Sequence, residues 1–80
     1  MQNVGIEGKL KELLKEIDED IDTEMITGDS LLKEDVGLSS VAMLYMAVSI
    51  ENEFGVDLSD ANLKNMKTVE DVIQLISDRL

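Results

Sequence analysis

Apolar residues recur at helical spacing in three segments of the chain. The first segment runs from about Ile6 to Ile17 and the third from Val69 to about Leu80. The apolar positions of the first are Ile6, Leu10, Leu13, Leu14 and Ile17. Those of the third are Val69, Val72, Ile73, Ile76 and Leu80. Thr68 and Asp71 have the spacing of a capping box, so we predict two amphipathic helices with the second starting after Thr68.

The middle segment begins at Ser40 or Val41, ends at Phe54 and is followed by Gly55, a residue typical of helix ends. It carries two apolar stripes on different flanks. One consists of Met43, Met46, Ala47, Ile50 and Phe54. The other consists of Val41, Leu44, Tyr45 and Val48. Either this helix is buried on both sides, or the second stripe stays exposed and, together with Glu51, forms a partner-docking face.

Two connections join these helices, from about Asp18 to Ser39 and from Val56 to Lys67. Apolar residues are expected to anchor the first across the bundle. They are Ile21, Met25, Ile26, Leu31, Leu32, Val36 and Leu38. In the second, we predict a short helix capped by Ser59 and ending at about Asn65. No segment alternates with a period of two, so we predict an all-α fold without a sheet. It is a small antiparallel bundle of three main helices and one short helix, in one domain spanning residues 1–80.

The composition excludes several classes of function. The chain has 80 residues with neither Cys nor His, which removes disulfides, the usual zinc sites and the commonest general base. Eighteen acidic residues against seven basic ones give a net charge of −11, which disfavours nucleic acid and anionic membrane surfaces as partners. We see neither a signal peptide nor an apolar run of membrane-spanning length, and expect a cytoplasmic protein that crosses no membrane.

One alternative is a divalent-cation site between Asp18 and Asp29. Four acids occupy alternate positions of this window, namely Asp18, Asp20, Asp22 and Glu24. Thr23 stands where an EF-hand requires Gly, and Asp29 stands where it requires a bidentate Glu. We therefore expect no specific metal site, and only weak, nonspecific cation binding remains open.

Two serines precede the middle helix. Gly37 permits a tight turn, Ser39 is well placed as the N-cap, and Ser40 would then be the first helical residue. A phosphate ester on Ser40 would lie at the positive end of the helix dipole. Spacing alone does not require such a group, because capping accounts for both serines.

The residues around Ser40 resemble the acyl carrier protein family. Residues 35–41 read Asp-Val-Gly-Leu-Ser-Ser-Val, and the family form is Asp-Leu-Gly-x-Asp-Ser-Leu. Ser40 falls on the family's modified serine because it lies five residues after Asp35. Residues 51–55 match the family's Glu-x-Glu-Phe-Gly, and residues 68–71 match its later Thr-Val-x-Asp.

This resemblance implies a carrier rather than an enzyme. It implies a 4′-phosphopantetheine arm attached covalently to Ser40, whose thiol would hold acyl, aminoacyl or polyketide groups as thioesters. The implied partners are a phosphopantetheinyl transferase and acyl- or aminoacyl-loading ligases, synthases or transferases, and we expect the carrier to be a monomer. The alternative is an unmodified helical interaction module with the same fold.

Three departures from the family pattern affect the choice of partners. First, Ser39 replaces the usual Asp. Second, Ala42 and Tyr45 replace acids that often follow the serine. Third, acids cluster instead at the end of the first helix and in the long connection, at Glu16, Asp18, Glu19, Asp20, Asp22 and Glu24. A specialised pathway, such as polyketide or another acyl or aminoacyl assembly, is therefore an alternative to ordinary fatty-acid synthesis, and the sequence leaves both open. A groove sheltering the cargo would be lined by Met46, Ile50, Leu63 and Val72. We favour the simpler interpretation of these four residues as core.

Overall fold

A computed structural model describes residues 2–80 of the chain, with side chains from residue 5 onward. It contains three α-helices, α1 (Gln2–Ile17), α2 (Ser40–Phe54) and α3 (Val69–Arg79). Two short 3₁₀ helices lie in the connections, at Thr23–Met25 and Leu63–Asn65. α1 packs against both other α-helices. Within the described residues the extended pairing is limited to one antiparallel bridge between Leu31 and Thr68, so the predicted all-α fold is confirmed.

The core is built from the apolar stripes of the three α-helices. α1 begins at Gln2, four residues before its predicted start. Its buried side chains are Ile6, Leu10, Leu13 and Leu14. α3 buries Val69, Val72, Ile73 and Ile76. The prediction is wrong at Leu80, which follows the last turn of α3 and is exposed.

The connection between α1 and α2 is anchored by apolar side chains, as predicted. Those that are buried are Ile21, Ile26, Leu32 and Leu38, and Val36 is half-buried. The prediction is wrong for Met25 and Leu31, which are exposed. Leu31 directly precedes the buried Leu32, and consecutive side chains in extended backbone point to opposite sides. Met25 is the last residue of the first 3₁₀ helix, which contains no buried residue.

Short polar side chains start the two 3₁₀ helices. Asn62 caps the second by accepting the backbone N–H of Lys64 at 3.0 Å. The predicted cap at Ser59 is therefore wrong. The backbone N–H of Ser59 instead donates to Asp57 at 2.9 Å, forming a separate turn. The first 3₁₀ helix was not predicted, and Asp22 caps it by accepting the N–H of Glu24 at 3.1 Å.

Candidate functional site

Backbone hydrogen bonds fix the loop that leads into α2. Leu32 N–H donates to the Lys67 carbonyl at 2.8 Å, and Val69 N–H donates to the Ser30 carbonyl at 3.0 Å. These bonds join the loop to the start of α3. Gly37 then turns the chain towards α2 with φ of 90°, a conformation that disfavours residues with a Cβ atom.

The two serines at the start of α2 occupy different positions. Ser39 is the N-cap, because its Oγ accepts the backbone N–H of Ala42 at 3.1 Å and its carbonyl accepts the N–H of Met43 at 2.9 Å. Ser40 is the first residue of α2 and is exposed. The prediction that Ser39 is the N-cap and Ser40 the first helical residue is therefore confirmed. The other end of α2 is closed by Gly55 with φ of 69°, as predicted.

A recess of 260 Å³ adjoins Ser40. It is lined by Lys33, Ser40, Met43, Leu44, Leu63 and Lys64. A neighbouring recess of 510 Å³ shares Lys33, Leu63 and Lys64 with it and extends to Glu34 and Lys67. The second 3₁₀ helix and the loop before α2 thus form walls beside the serine.

Sequence spacing did not identify Lys33, Leu63 or Lys64 as neighbours of Ser40 in a charged recess. Lys33 and Lys64 are 31 positions apart in the chain. They approach one recess because the loop before α2 pairs with residues 67–69. No local pattern in the sequence signals this arrangement, because it depends on contacts between distant segments.

The second apolar stripe of α2 is exposed. The exposed fractions are 76% for Val41, 58% for Leu44, 61% for Tyr45 and 55% for Val48. The interpretation of α2 as a helix buried on both sides is therefore wrong. The stripe containing Met43, Met46 and Ile50 faces the core instead. The exposed stripe, Val41, Leu44, Tyr45 and Val48, is called the α2 face below.

Glu51, the fifth predicted docking residue, differs from the α2 face. It is half-buried, and its Oε2 accepts the backbone N–H of Leu58 at 2.8 Å. It therefore stabilises the turn after α2.

The four proposed groove residues divide into core and wall. Met46, Ile50 and Val72 are fully buried, which confirms their interpretation as core. Leu63 is half-buried and lines the recess beside Ser40.

The carboxylates of the acidic connection form local turns. Asp18 Oδ1 accepts the N–H of Asp20 at 3.0 Å, and Asp22 Oδ1 accepts that of Glu24. In the part of the chain that the structure describes, no three acidic side chains come close enough together to hold a metal ion.

Among the side chains of residues 5–80, three ionisable groups have shifted pKa values. Backbone hydrogen bonds from Thr68 and Lys67 lower the pKa of Asp71, which completes the predicted capping box at the start of α3. The backbone N–H of Ser59 lowers the pKa of Asp57 in the same way. A hydrogen bond to Glu53 raises the pKa of Lys9. These shifts belong to turns and to a surface ion pair rather than to a catalytic arrangement.

Comparisons with known proteins agree with this geometry. Residues 8–76 match the family model described as a phosphopantetheine attachment site. The chain is 36% identical over 80 residues to the acyl carrier protein of Coprothermobacter proteolyticus, covering 100% of this chain and 96% of that one. It is 42% identical over 57 residues to the acyl carrier protein of Aster yellows witches'-broom phytoplasma, covering 71% of this chain and 75% of that one.

The fold also resembles a solved structure. The solution structure of the apo doublet acyl carrier protein from prodigiosin biosynthesis superposes with a TM-score of 0.79 at 18% identity. The match covers 98% of this chain and 37% of that one. In addition, none of the helices formed by residues 2–80 is long and apolar enough to span a membrane.

Proposed function

This chain belongs to the acyl carrier protein family, and on that basis we propose that its 4′-phosphopantetheine arm is attached to Ser40. The observation that carries this assignment is the position of Ser40 as the exposed first residue of α2. The hydroxyl of Ser39 is already engaged in capping the same helix. An unmodified interaction module is not favoured, because the matching family model describes an attachment site.

The residues around Ser40 fit a phosphate ester. The start of α2 offers the positive end of the helix dipole, which stabilises a negative group there. Lys33 and Lys64 line the recess beside the hydroxyl and supply positive charge. The chain has no Cys and therefore no thiol of its own. The arm supplies the thiol that bonds acyl groups as thioesters.

Attachment consumes the Ser40 hydroxyl and requires a separate transferase. The Ser40 oxygen forms a bond to the phosphorus of the phosphopantetheine part of coenzyme A, and its proton passes to the transferase or solvent. The bond from that phosphorus to the bridging diphosphate oxygen breaks, and adenosine 3′,5′-bisphosphate leaves. In this proposal the chain provides the nucleophile and its setting but catalyses neither this step nor later acyl transfers.

We further propose that partner enzymes contact the α2 face. This face presents four apolar side chains, and Ala42 and Tyr45 occupy positions where related carriers often have acids. Apolar contact rather than charge would therefore dominate recognition by the loading ligase, synthase or transferase. Such recognition suits a specialised acyl, aminoacyl or polyketide pathway. Glu51 contributes through the turn that it stabilises, and its direct contact with partners remains a prediction.

The assignment of Ser40 is tested by intact mass spectrometry. The apo-protein is incubated with coenzyme A and a broad-specificity phosphopantetheinyl transferase. The wild type is expected to gain one phosphopantetheinyl group, Ser40→Ala to gain none, and the matched control Ser39→Ala to gain one. Two results would assign the site to Ser39 instead. One is that Ser40→Ala still gains the phosphopantetheinyl group. The other is that Ser39→Ala fails to gain it while Ser40→Ala and the wild type both do. A cytoplasmic location and a monomeric state remain predictions.

A further inference from the structure

The recess beside Ser40 differs in charge from the rest of the chain. The protein has a net charge of −11, yet the side chains around this recess include two lysines and no carboxylate. Lys67 and Glu34 line the adjoining recess, so the two recesses together have three of the chain's seven basic residues and one carboxylate. Such a local reversal of charge attracts an anion that the remainder of the surface repels.

These lysines are not engaged in ion pairs. In residues 5–80 the ion pairs are Lys9–Glu53, Lys11–Glu7 and Arg79–Asp60. Lys33 and Lys64 take part in none of them. Their positive charges are therefore available to a ligand.

The backbone around both lysines is held in place. Lys33 follows Leu32, which is fully buried and donates its N–H to the Lys67 carbonyl. Lys64 lies in the second 3₁₀ helix, where its own N–H is accepted by the capping side chain of Asn62. Both lysines thus extend from hydrogen-bonded backbone and line the recess that adjoins Ser40.

We propose that Lys33 and Lys64 bind the phosphate at Ser40, first in the diphosphate of the incoming coenzyme A and then in the phosphodiester of the attached arm. This inference rests on the proposed attachment to Ser40. A polyanionic donor must approach a strongly acidic protein, and the lysines offset that repulsion at the reacting hydroxyl. Met43, Leu44 and Leu63 line the same recess and are apolar, so they place no carboxylate beside the phosphate.

The test compares two double variants that each remove two positive charges. Lys33→Gln/Lys64→Gln changes the recess. Lys9→Gln/Lys11→Gln is the control, because Lys9 pairs with Glu53 near the opposite end of α2 and Lys11 pairs with Glu7. We expect the recess variant to lower kcat/KM for loading by a broad-specificity transferase by about tenfold, and the control to lower it much less.

A second readout separates phosphate binding from contact with the transferase. The ³¹P resonance of the purified, fully loaded protein is expected to move in the recess variant and to stay at the wild-type position in the control. If the ³¹P resonance is unchanged, even though loading is slower, the lysines contact the transferase rather than the phosphate, and the proposal is overturned. Equal losses of kcat/KM in both variants would also overturn it, because net charge alone would then explain them.

Failure of the proposed attachment is seen separately. It would appear as an arm on Ser40→Ala, or as a wild type that gains no arm, and neither result involves a lysine variant. Mass spectra of both loaded variants confirm that one arm is present before the ³¹P comparison is made.

Discussion

The Oγ atom of Ser39 accepts a hydrogen bond from the backbone N–H of Ala42 at 3.1 Å. This contact satisfies one of the N–H groups that the first turn of α2 leaves without a helical partner. The adjacent Ser40 lies within the helix with its side chain exposed. The two hydroxyls therefore affect different properties of the protein, and substitution separates them.

Ser39→Ala is expected to lower the free energy of unfolding by about 1 kcal/mol through loss of the cap. Ser40→Ala should change it by less than about 0.5 kcal/mol, because this exposed side chain is not the cap. Urea denaturation of the apo-proteins measures both values. Ser39→Asp is the control, since aspartate also caps helices and should restore most of the stability. A larger loss for Ser40→Ala than for Ser39→Ala would contradict the assignment of the cap.

Tyr45 and Met46 are adjacent in α2, but Tyr45 is exposed and Met46 is fully buried. Met46→Ala is expected to destabilise the fold by roughly 2–5 kcal/mol, because it opens a cavity in the core. Tyr45→Ala should leave stability within about 0.5 kcal/mol of the wild type. Thermal and urea unfolding provide the comparison.

If the α2 face docks partners, Tyr45→Ala should also slow acyl loading by the cognate enzyme. We expect a loss in kcat/KM on the order of tenfold, which corresponds to about 1.4 kcal/mol of binding free energy. Asn52→Ala, at an exposed position of α2 outside this face, serves as the control. Equal rates for Tyr45→Ala and the wild type would exclude Tyr45 from the contact.

The acidic segment at the end of α1 predicts a dependence of stability on salt. It contains six acids between Glu16 and Glu24 and no basic residue. Raising the ionic strength from about 0.01 M to about 0.1 M shortens the Debye length from roughly 30 Å to roughly 10 Å. The melting temperature should therefore rise. Glu19→Gln/Asp20→Asn should raise it at low salt and reduce the response, whereas an unchanged response would show that these acids do not contribute to repulsion.

Asp71 predicts a dependence of stability on pH. Its pKa in the folded chain lies below the usual value of 3.8, because its carboxylate accepts the N–H groups of Thr68 and Lys67. The resulting stabilisation is complete above the unfolded pKa and is lost as the pH falls through the folded pKa. Since the carboxylate is exposed, we expect a contribution below about 1 kcal/mol.

The measurement compares wild type and Asp71→Asn by urea unfolding at neutral and acidic pH. Their difference in stability should be largest near neutrality and should shrink below 3.8. Glu70→Gln removes a neighbouring charge without breaking the capping box and should give a smaller difference. If the difference in stability between wild type and Asp71→Asn grew on acidification, the pKa of Asp71 would not be lowered in the folded chain.

The sequence predicted what depends on local periodicity. The stripes of α1 and α3, the Ser39 cap and the Thr68–Asp71 capping box all follow from spacing within one or a few helical turns. The burial of α2 was left open, because both of its stripes are apolar and tertiary packing decides which one faces the core.

The cap of the second 3₁₀ helix was predicted wrongly because several residues in that connection could serve as the cap. Asp57, Ser59 and Asn62 are all suited to capping, and the path of the connection selects Asn62 for the 3₁₀ helix. The recess beside Ser40 could not be predicted, since it depends on bonds between distant segments. The attachment site itself was indicated by motif resemblance rather than by physical pattern.

The bridge between Leu31 and Thr68 has a consequence for local unfolding. The turn that precedes α3 and the loop that precedes Ser40 share backbone hydrogen bonds, so neither can open without weakening the other. Amide protons of Leu32 and Val69 should therefore exchange with solvent at similar rates, as members of one cooperative unit. Fraying at the first turn of α3 would thus weaken the hydrogen bonds that hold the loop before Ser40, although Thr68 and Ser40 are 28 positions apart in the chain.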